Sequence, residues 1–292
     1  MKTLFICFIF ISVSLQAQTA YSIFRTTISC PLDKKELAVS AHKKIESVLT
    51  TMTKEGSVLN FNLNISEEND MVKLDYTMPS ENEESFKKLI SEWKARVTDS
   101  DPQLFEVFWQ TCPTRKDTMV IKHKMMFPLI KASYTGVVAV EGIDEKPDPE
   151  LDYKIVVDLT AFPEMEKNKG KVDSVKTNWG LAEIGRIYNL HLAAGIPKNR
   201  IQIVAAVHAN AMESFFTNEA YREKYKTENR NLPIIEELSN AGVKFLVCGQ
   251  SLKWWGYQKD MLIPQAKLTL TAQTTLTSCQ MKGFALKGIR ND

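Results

Sequence analysis

The chain has 292 residues and a formal net charge of +2, with 37 lysines and arginines against 35 aspartates and glutamates. A near-neutral charge without a long basic run argues against a nucleic-acid partner. With four histidines and no CxxC or zinc-ligand spacing, a metal site is not expected. No cofactor is predicted either, because the sequence has no phosphate-binding glycine loop and no dinucleotide-binding fingerprint. The length allows one large domain or two ordinary ones.

Residues 1–18 have the pattern of a secretory signal peptide. Lys2 supplies a positive start, residues 4–13 are mostly apolar, and small or polar residues follow up to Gln18. The apolar run is too short to span a bilayer, and no later stretch reaches the length of a transmembrane helix. We therefore expect an exported protein, periplasmic or secreted after cleavage, with no membrane span.

Residues 19–120 are predicted to form a smaller α+β region of unknown role. Amphipathic spacing and alternation of apolar residues predict a helix, two strands joined by a turn, and a second helix. No cluster of chemically active residues stands out there. The predicted elements are a helix over residues 34–54, strands over 57–65 and 71–78, and a helix that Ser80 or Asn82 caps and that ends at Val97.

Four cysteines remain after the leader: Cys30, Cys112, Cys248 and Cys279. An even number of cysteines in an exported protein favours disulfide bonds. Cys30 and Cys112 are each followed by proline in loop-like sequence, which makes them the more plausible pair.

Residues 121–292 are predicted to form an α/β domain. Short apolar strands alternate with helices, a pattern typical of a parallel sheet covered on both faces. An acidic connector over residues 141–152 leads into the first strand. The predicted strands cover 153–159, 201–207, 243–247, 267–270 and 284–289, and the predicted helices cover 179–194, 220–226, 233–241, 254–262 and 275–281.

Cys248 is the residue on which the functional prediction depends. It ends the apolar run that begins at Val243, and the carboxyl ends of parallel strands are where ligands collect in open α/β sheets. A helix beginning soon afterwards would point N–H groups at the sulfur and favour the thiolate. Gly249 would allow a tight turn beside the sulfur. Gln250 and Ser251 could donate hydrogen bonds to a thiolate or persulfide, or only cap the helix.

His208 follows the neighbouring strand and is expected to face the same crevice. It could serve as a base or a cation beside Cys248, or simply be hydrogen-bonded at the end of its strand. Asn210 and Asn178 are weaker candidates for the same rim, and Asn178 is also a candidate helix cap.

Other residues near Cys248 have two interpretations each. Cys248 itself could be a small buried apolar residue without chemistry. Cys279 could resolve a disulfide with Cys248, or be an ordinary helix cysteine. Trp254 and Trp255 could wall the site or form a contact between subunits.

Several motifs make residues 127–289 resemble the DsrE-like sulfur-relay family, in its exported bacterial form. One departure is that Ala209 and Asn210 follow His208 where the family often has glycine, which bears on the local turn. The motifs are Leu-Asp-Tyr-Lys-Ile-Val at 151–156, Ile-Tyr-Asn-Leu-His at 187–191, Val-Ala-Ala-Val-His at 204–208, Asn-Leu-Pro-Ile-Ile-Glu-Glu-Leu at 231–238, Val-Cys-Gly-Gln-Ser-Leu at 247–252 and Lys-Gly-Phe-Ala-Leu at 282–286.

The resemblance implies a three-layer α/β/α sandwich on a mainly parallel sheet, assembled as a trimer or a larger ring. It also implies that Cys248 carries sulfur as a persulfide, in a sulfurtransferase-like relay whose partners are sulfur donor and acceptor proteins or small thiols. The competing hypothesis is a non-catalytic oligomeric binding module that has kept the sheet and lost the chemistry.

Overall fold

The computed structural model describes residues 19–160 and 177–289, so the predicted leader lies outside the described residues. These residues form two sheets, one antiparallel and N-terminal, the other parallel and C-terminal. Within the described residues, no helix combines the length and the apolar character needed to cross a bilayer.

The N-terminal region is an α+β unit built on an antiparallel sheet of strand order β2-β3-β1-β4-β5. Apart from the additional helix α3 and the short strand β5, its element order and strand order are those of a ferredoxin-like split βαβ arrangement. Its elements are β1 (Ala20–Pro31), α1 (Lys35–Lys54), β2 (Asn62–Glu68), β3 (Met71–Ser80), α2 (Glu83–Ser100), α3 (Pro102–Thr111), β4 (Thr114–Met126) and β5 (Val137–Val138).

The sequence prediction of this region was incomplete at both ends. It missed β1, in which buried Ser22 and Thr26 alternate with buried Phe24 and Ile28, because two polar residues on the inner face weaken the apolar alternation. It also missed α3 and β4. Strand β4 pairs with β1 and runs through the predicted domain boundary at residue 120.

Cys30 and Cys112 form the predicted disulfide, with their Cα atoms 4.4 Å apart. Cys112 lies in the short connection between α3 and β4, as the loop-like sequence suggested, whereas Cys30 lies in strand β1 and not in a loop. Both side chains are buried in the apolar core of the N-terminal region. The bond therefore ties the first strand to the end of the helical layer.

The C-terminal region is a parallel sheet of strand order β10-β6-β7-β8-β9 with helices on both faces. Its elements are β6 (Tyr153–Leu159), α4 (Trp179–Ala193), β7 (Ile201–Val207), α5 (Asn218–Tyr225), α6 (Leu232–Ala241), β8 (Lys244–Cys248), α7 (Gly249–Trp254), β9 (Ala266–Thr269), α8 (Ala272–Met281) and β10 (Ala285–Ile289).

Two apolar layers cover the faces of this sheet. Helices α4 and α6 pack against the layer that contains Val157 and Val207. Helix α8 packs against the opposite layer, which contains Val156 and Val204. Successive strand residues point to opposite faces, so near-continuous apolar strands serve both layers at once. The predicted three-layer α/β/α sandwich is confirmed.

The helix predicted over residues 254–262 is wrong. Helix α7 begins earlier, at Gly249, and ends at Trp254. Gly256 then takes a positive φ of 72°, which turns the chain out of the helix, and a short 3₁₀ helix follows at Lys259–Met261. The earlier start of α7 places a helix directly after Cys248.

Candidate functional site

The strand register brings Cys248 and His208 to the same edge of the parallel sheet. Val207 of β7 pairs with Val247 of β8, so the residues that follow them occupy equivalent positions on neighbouring strands. On the other side, Cys248 pairs with Thr269 at the end of β9. This register places both residues at the carboxyl ends of neighbouring strands, the edge where the sequence analysis expected them.

Cys248 is both the last residue of β8 and the N-cap of α7. Its sulfur accepts a hydrogen bond from the Ser251 N–H, with an N···Sγ distance of 3.4 Å. The residue is 5% exposed. The thiol is therefore held at the edge of the sheet, close to the surface but mostly covered.

The environment of the sulfur lowers the pKa of the Cys248 thiol. Burial acts in the opposite direction and raises the pKa, because it disfavours the charged thiolate. Hydrogen bonds from the Ser251 hydroxyl and from the N–H groups of Ser251, Ala272 and Gln250 outweigh the burial. These N–H groups belong to the first turns of α7 and α8, so the starts of two helices converge on one sulfur atom.

Gly249 is what allows α8 to come this close. A Cβ atom at Gly249 would lie 2.8 Å from the backbone oxygen of Thr269 and 3.3 Å from that of Leu270. Both oxygens belong to the backbone just before α8, which could not yield without moving Ala272 away from the sulfur. Gly249 is thus required by close approach of two backbones.

Ser251 connects Cys248 to the turn that follows His208. Its Oγ accepts a hydrogen bond from the Ala209 N–H at 3.3 Å while its hydroxyl donates to the sulfur. Ala209 has a φ of 52°, a left-handed conformation that glycine adopts more easily.

The His208 ring is held by a carboxylate that sequence analysis missed. Its Nε2 lies 2.6 Å from Oδ1 of Asp158, near the end of the adjacent strand β6. Both side chains are largely buried, with 22% and 14% of their surface exposed. When Nε2 carries the proton in this hydrogen bond, Nδ1 keeps a lone pair that can accept a proton. The available signal in the sequence was an acidic residue that follows the apolar run at residues 155–157 near the end of β6.

The remaining predicted site residues lie less centrally. The side chains of Gln250 and Asn210 are exposed, and Gln250 contributes its backbone N–H to the sulfur. Asn178 is fully buried, where it caps α4 and donates through Nδ2 to Ser214 Oγ at 2.9 Å. Its backbone N–H donates to Asn231 Oδ1 at 2.7 Å. Asn178 therefore belongs to a buried amide network that holds the start of α4.

Cys279 is placed unfavourably for a direct bridge to Cys248. It lies seven residues after Ala272 on α8, about 10 Å along the helix axis. The Ala272 N–H reaches the sulfur of Cys248 at the opposite end of that helix. A disulfide requires Cα atoms within about 7 Å. Burial also raises the pKa of the Cys279 thiol.

Trp254 is 84% exposed and Trp255 is 50% exposed, so neither forms a closed wall over the sulfur. As for metals, the described residues contain no group of three or more His, Cys, Asp or Glu side chains placed to hold an ion.

Comparison with known proteins finds a family similarity in the parallel-sheet region. The model of the DsrE/DsrF-like family matches residues 174–286. No curated protein matches the chain. A solved protein of unknown function from Methanobacterium thermoautotrophicum is 17% identical and covers 47% of this chain and 100% of its own, with a TM-score of 0.34 that is too low to support an argument. The part of the chain that carries His208 and Cys248, residues 174–286, is thus similar to the DsrE/DsrF-like family.

Proposed function

We propose that this protein is an exported thiol-based sulfur carrier in which Cys248 accepts sulfane sulfur and passes it on. The observation that carries the proposal is the set of N–H and O–H groups that surround the Cys248 sulfur and lower its pKa. A thiolate is the nucleophile that persulfide chemistry requires. The match to a family of sulfur-relay type gives the same indication.

The proposed loading step is neutral in electrons. The Cys248 thiolate attacks the outer sulfur of a donor persulfide, R–S–SH, and forms a new S–S bond. The donor's own S–S bond breaks, and R–S⁻ leaves with the bonding electron pair. The products are Cys248–S–SH and the donor thiolate. Attack on the outer sulfur of Cys248–S–SH by an acceptor thiolate then releases the Cys248 thiolate again.

The neighbouring groups have separate roles in this step. Ser251 and the N–H groups at the starts of α7 and α8 stabilise the negative sulfur before attack and after release. His208, oriented by Asp158, is placed on the neighbouring strand end to take or supply the proton of the sulfur that moves. Asp158 does not reach the sulfur in this scheme and acts as a positioning residue.

Export and partners are part of the proposal. The Cys30–Cys112 disulfide suits an oxidising compartment, as the predicted leader requires. We propose that the donors and acceptors are small thiols or cysteine-bearing proteins, and that the protein forms a homo-oligomer such as a trimer. The exposed indoles of Trp254 and Trp255 suit a protein contact beside Cys248, because aromatic residues are enriched at interfaces.

The proposal is tested by incubating the full folded chain with glutathione persulfide and mapping adducts by mass spectrometry. We expect the Cys248 peptide to gain the mass of one sulfur atom, which a reductant removes. Cys279→Ser should load as the wild type does, whereas Cys248→Ser should not load. An unmodified Cys248 in the wild type would defeat the proposal.

The low exposure of Cys248, 5% of the residue, favours a second candidate function. A thiol covered in this way also fits a non-catalytic oligomeric binding module on the same fold. In that case Cys248→Ser would keep both the assembly state and the binding of partner proteins. Under the sulfur-carrier proposal it would abolish transfer to an acceptor while leaving the fold intact.

A further inference from the structure

A buried carboxylate lies in the turn that follows His208, outside the groups used in sulfur transfer. Glu213 belongs to the 3₁₀ helix Ala209–Phe215 and is 3% exposed. Its Oε1 accepts hydrogen bonds from Lys224 Nζ at 2.8 Å and from Tyr257 OH at 2.9 Å, and its Oε2 accepts one from Tyr225 OH. We name Glu213, Lys224, Tyr225 and Tyr257 the Glu213 cluster.

Burying a carboxylate is unfavourable unless its lone pairs are satisfied. The Glu213 cluster satisfies them with one ammonium and two hydroxyl groups, which come from two separate parts of the chain. Lys224 and Tyr225 are at the end of α5, and Tyr257 follows α7. The Lys224 ammonium also lies 5.3 Å from the ring centre of Tyr225 and 5.0 Å from that of Tyr257.

Both segments joined by Glu213 lead directly to Cys248. Ala209, at the start of the same 3₁₀ helix, donates its N–H to Ser251 Oγ. Tyr257 donates its backbone N–H to the oxygen of Leu252, the residue after Ser251, at 3.0 Å. The Glu213 cluster is therefore a second connection between the two segments that meet at the Ser251 hydroxyl.

We infer that Glu213 is a positioning residue. By joining the Ala209–Phe215 helix to the segment after α7, it keeps the Ser251 hydroxyl in place against the Cys248 sulfur. The use of that sulfur in transfer rests on the proposed function, whereas the positioning itself does not. Glu213 touches neither the sulfur nor a substrate.

Loss of the carboxylate is expected to loosen this connection without unfolding the domain. Backbone hydrogen bonds hold the far ends of the same segments, from Ile263 N–H to Phe215 O at 2.9 Å and from Thr217 N–H to Met261 O at 2.8 Å. These remain when the side chain changes. The effect should therefore concentrate on the contact between Ala209, Ser251 and Cys248.

The test is the pH dependence of Cys248 alkylation by iodoacetamide, followed on the Cys248 peptide in the full chain. Glu213→Gln and Tyr257→Phe should each move the midpoint to higher pH. A rise of about half a pKa unit lowers the thiolate fraction, and so the rate at pH 7, about threefold. The matched control is Glu46→Gln. It removes a largely buried carboxylate of the N-terminal region that pairs with Arg230, and it should keep the wild-type midpoint.

A wild-type midpoint in folded Glu213→Gln and Tyr257→Phe would overturn the inference. An equal shift in Glu46→Gln would overturn it as well, because the effect would then be a general loss of stability. If Glu213→Gln does not fold, the midpoint of Tyr257→Phe alone decides whether the inference holds. This variant removes a single hydroxyl and is therefore expected to fold. Failure of the proposed function would give a different result. The wild type would then not load persulfide, whereas Glu213→Gln and Tyr257→Phe would still show their shifted alkylation midpoints.

Discussion

At Cys248, burial and hydrogen bonding change the pKa in opposite directions, and the hydrogen bonds prevail. The consequence for stability follows from the lowered pKa. A folded-state pKa below the unfolded one stabilises the fold when the pH is above the unfolded pKa. This contribution is lost as the pH falls through the folded pKa. The thiolate thus adds to stability mainly in alkaline solution and contributes little in acid.

Ser251→Ala should raise the pKa of Cys248, because it removes a hydrogen bond to the thiolate, and a hydrogen bond to a charged group is worth about 1.5 to 3 kcal/mol. The variant removes the hydroxyl that donates to the sulfur and keeps the Ser251 backbone N–H in place. The pH midpoint of Cys248 alkylation measures the change. Ser278→Ala, at an exposed position on α8, is the control and should leave the midpoint where it is. An unchanged midpoint in Ser251→Ala would show that the hydroxyl has no such role.

Ala209→Gly should increase the free energy of unfolding by about 0.5 to 1 kcal/mol, because glycine removes the left-handed strain at φ 52°. Ala211→Gly is the matched control, since Ala211 is fully buried in the same 3₁₀ helix and has no positive φ. It should lower stability. Denaturant unfolding compares the two, and an equal loss in both would contradict the strain at Ala209.

At the scale of elements, the disulfide is the main covalent constraint on the N-terminal sheet. It closes a loop of 82 residues between β1 and the end of α3. Cross-linking a loop of this length stabilises a fold by about 4 kcal/mol in the chain-entropy description. Cys30→Ala with Cys112→Ala should lower the free energy of unfolding of the N-terminal region by roughly this amount. Denaturant titration followed through buried Trp93 measures it, and a loss below about 1 kcal/mol would contradict the assignment.

Elements of the parallel sheet could be predicted from sequence, because strands buried on both faces are almost continuously apolar. Tyr153–Leu159 and Ile201–Val207 were predicted with the observed bounds. Strand β1 could not, because Ser22 and Thr26 occupy inner positions. The spacing of apolar residues does not locate the residue that caps a helix either. For this reason α7, which Cys248 caps, was predicted to begin several residues too late.

Only part of the candidate site could be predicted from the sequence. Cys248 and His208 could be found because each lies at the end of an apolar run, and the register places these ends on neighbouring strands. Asp158 and Ala272 are 90 and 24 residues away from Cys248 in the sequence, and only the fold brings them to this edge. The sequence analysis predicted Asn178 at the rim of the site, because it precedes a helix at the same edge. In the structure its side chain instead donates a hydrogen bond to Ser214 within the buried amide network.

At the scale of the whole molecule, helix α1 makes one of the contacts between the two regions. Glu46 of α1 pairs with Arg230, with Oε2 and Nη2 2.6 Å apart. One turn earlier, burial and, to a smaller extent, the nearby Arg230 charge together lower the pKa of His42 to about 4. His42 is therefore neutral in the folded protein at pH values where the unfolded chain already carries the proton.

Stability should consequently fall as the pH decreases from about 6.5 to about 4, by up to about 3 kcal/mol. In this window the unfolded state binds a proton that the folded state does not. His42→Gln should flatten this part of the stability profile, measured by urea unfolding at several pH values. The same slope in the variant as in the wild type would show that other groups cause it.

The most direct measurement is the pH dependence of alkylation of both free thiols in the wild-type protein. Cys279 serves as an internal comparison, because burial raises its pKa whereas hydrogen bonds lower that of Cys248. We expect Cys248 to react with a midpoint below about 8.5, the value of an ordinary cysteine, and Cys279 with one above it. A Cys248 that stays unmodified in the folded protein, or that titrates together with Cys279, would contradict a poised and reachable thiolate.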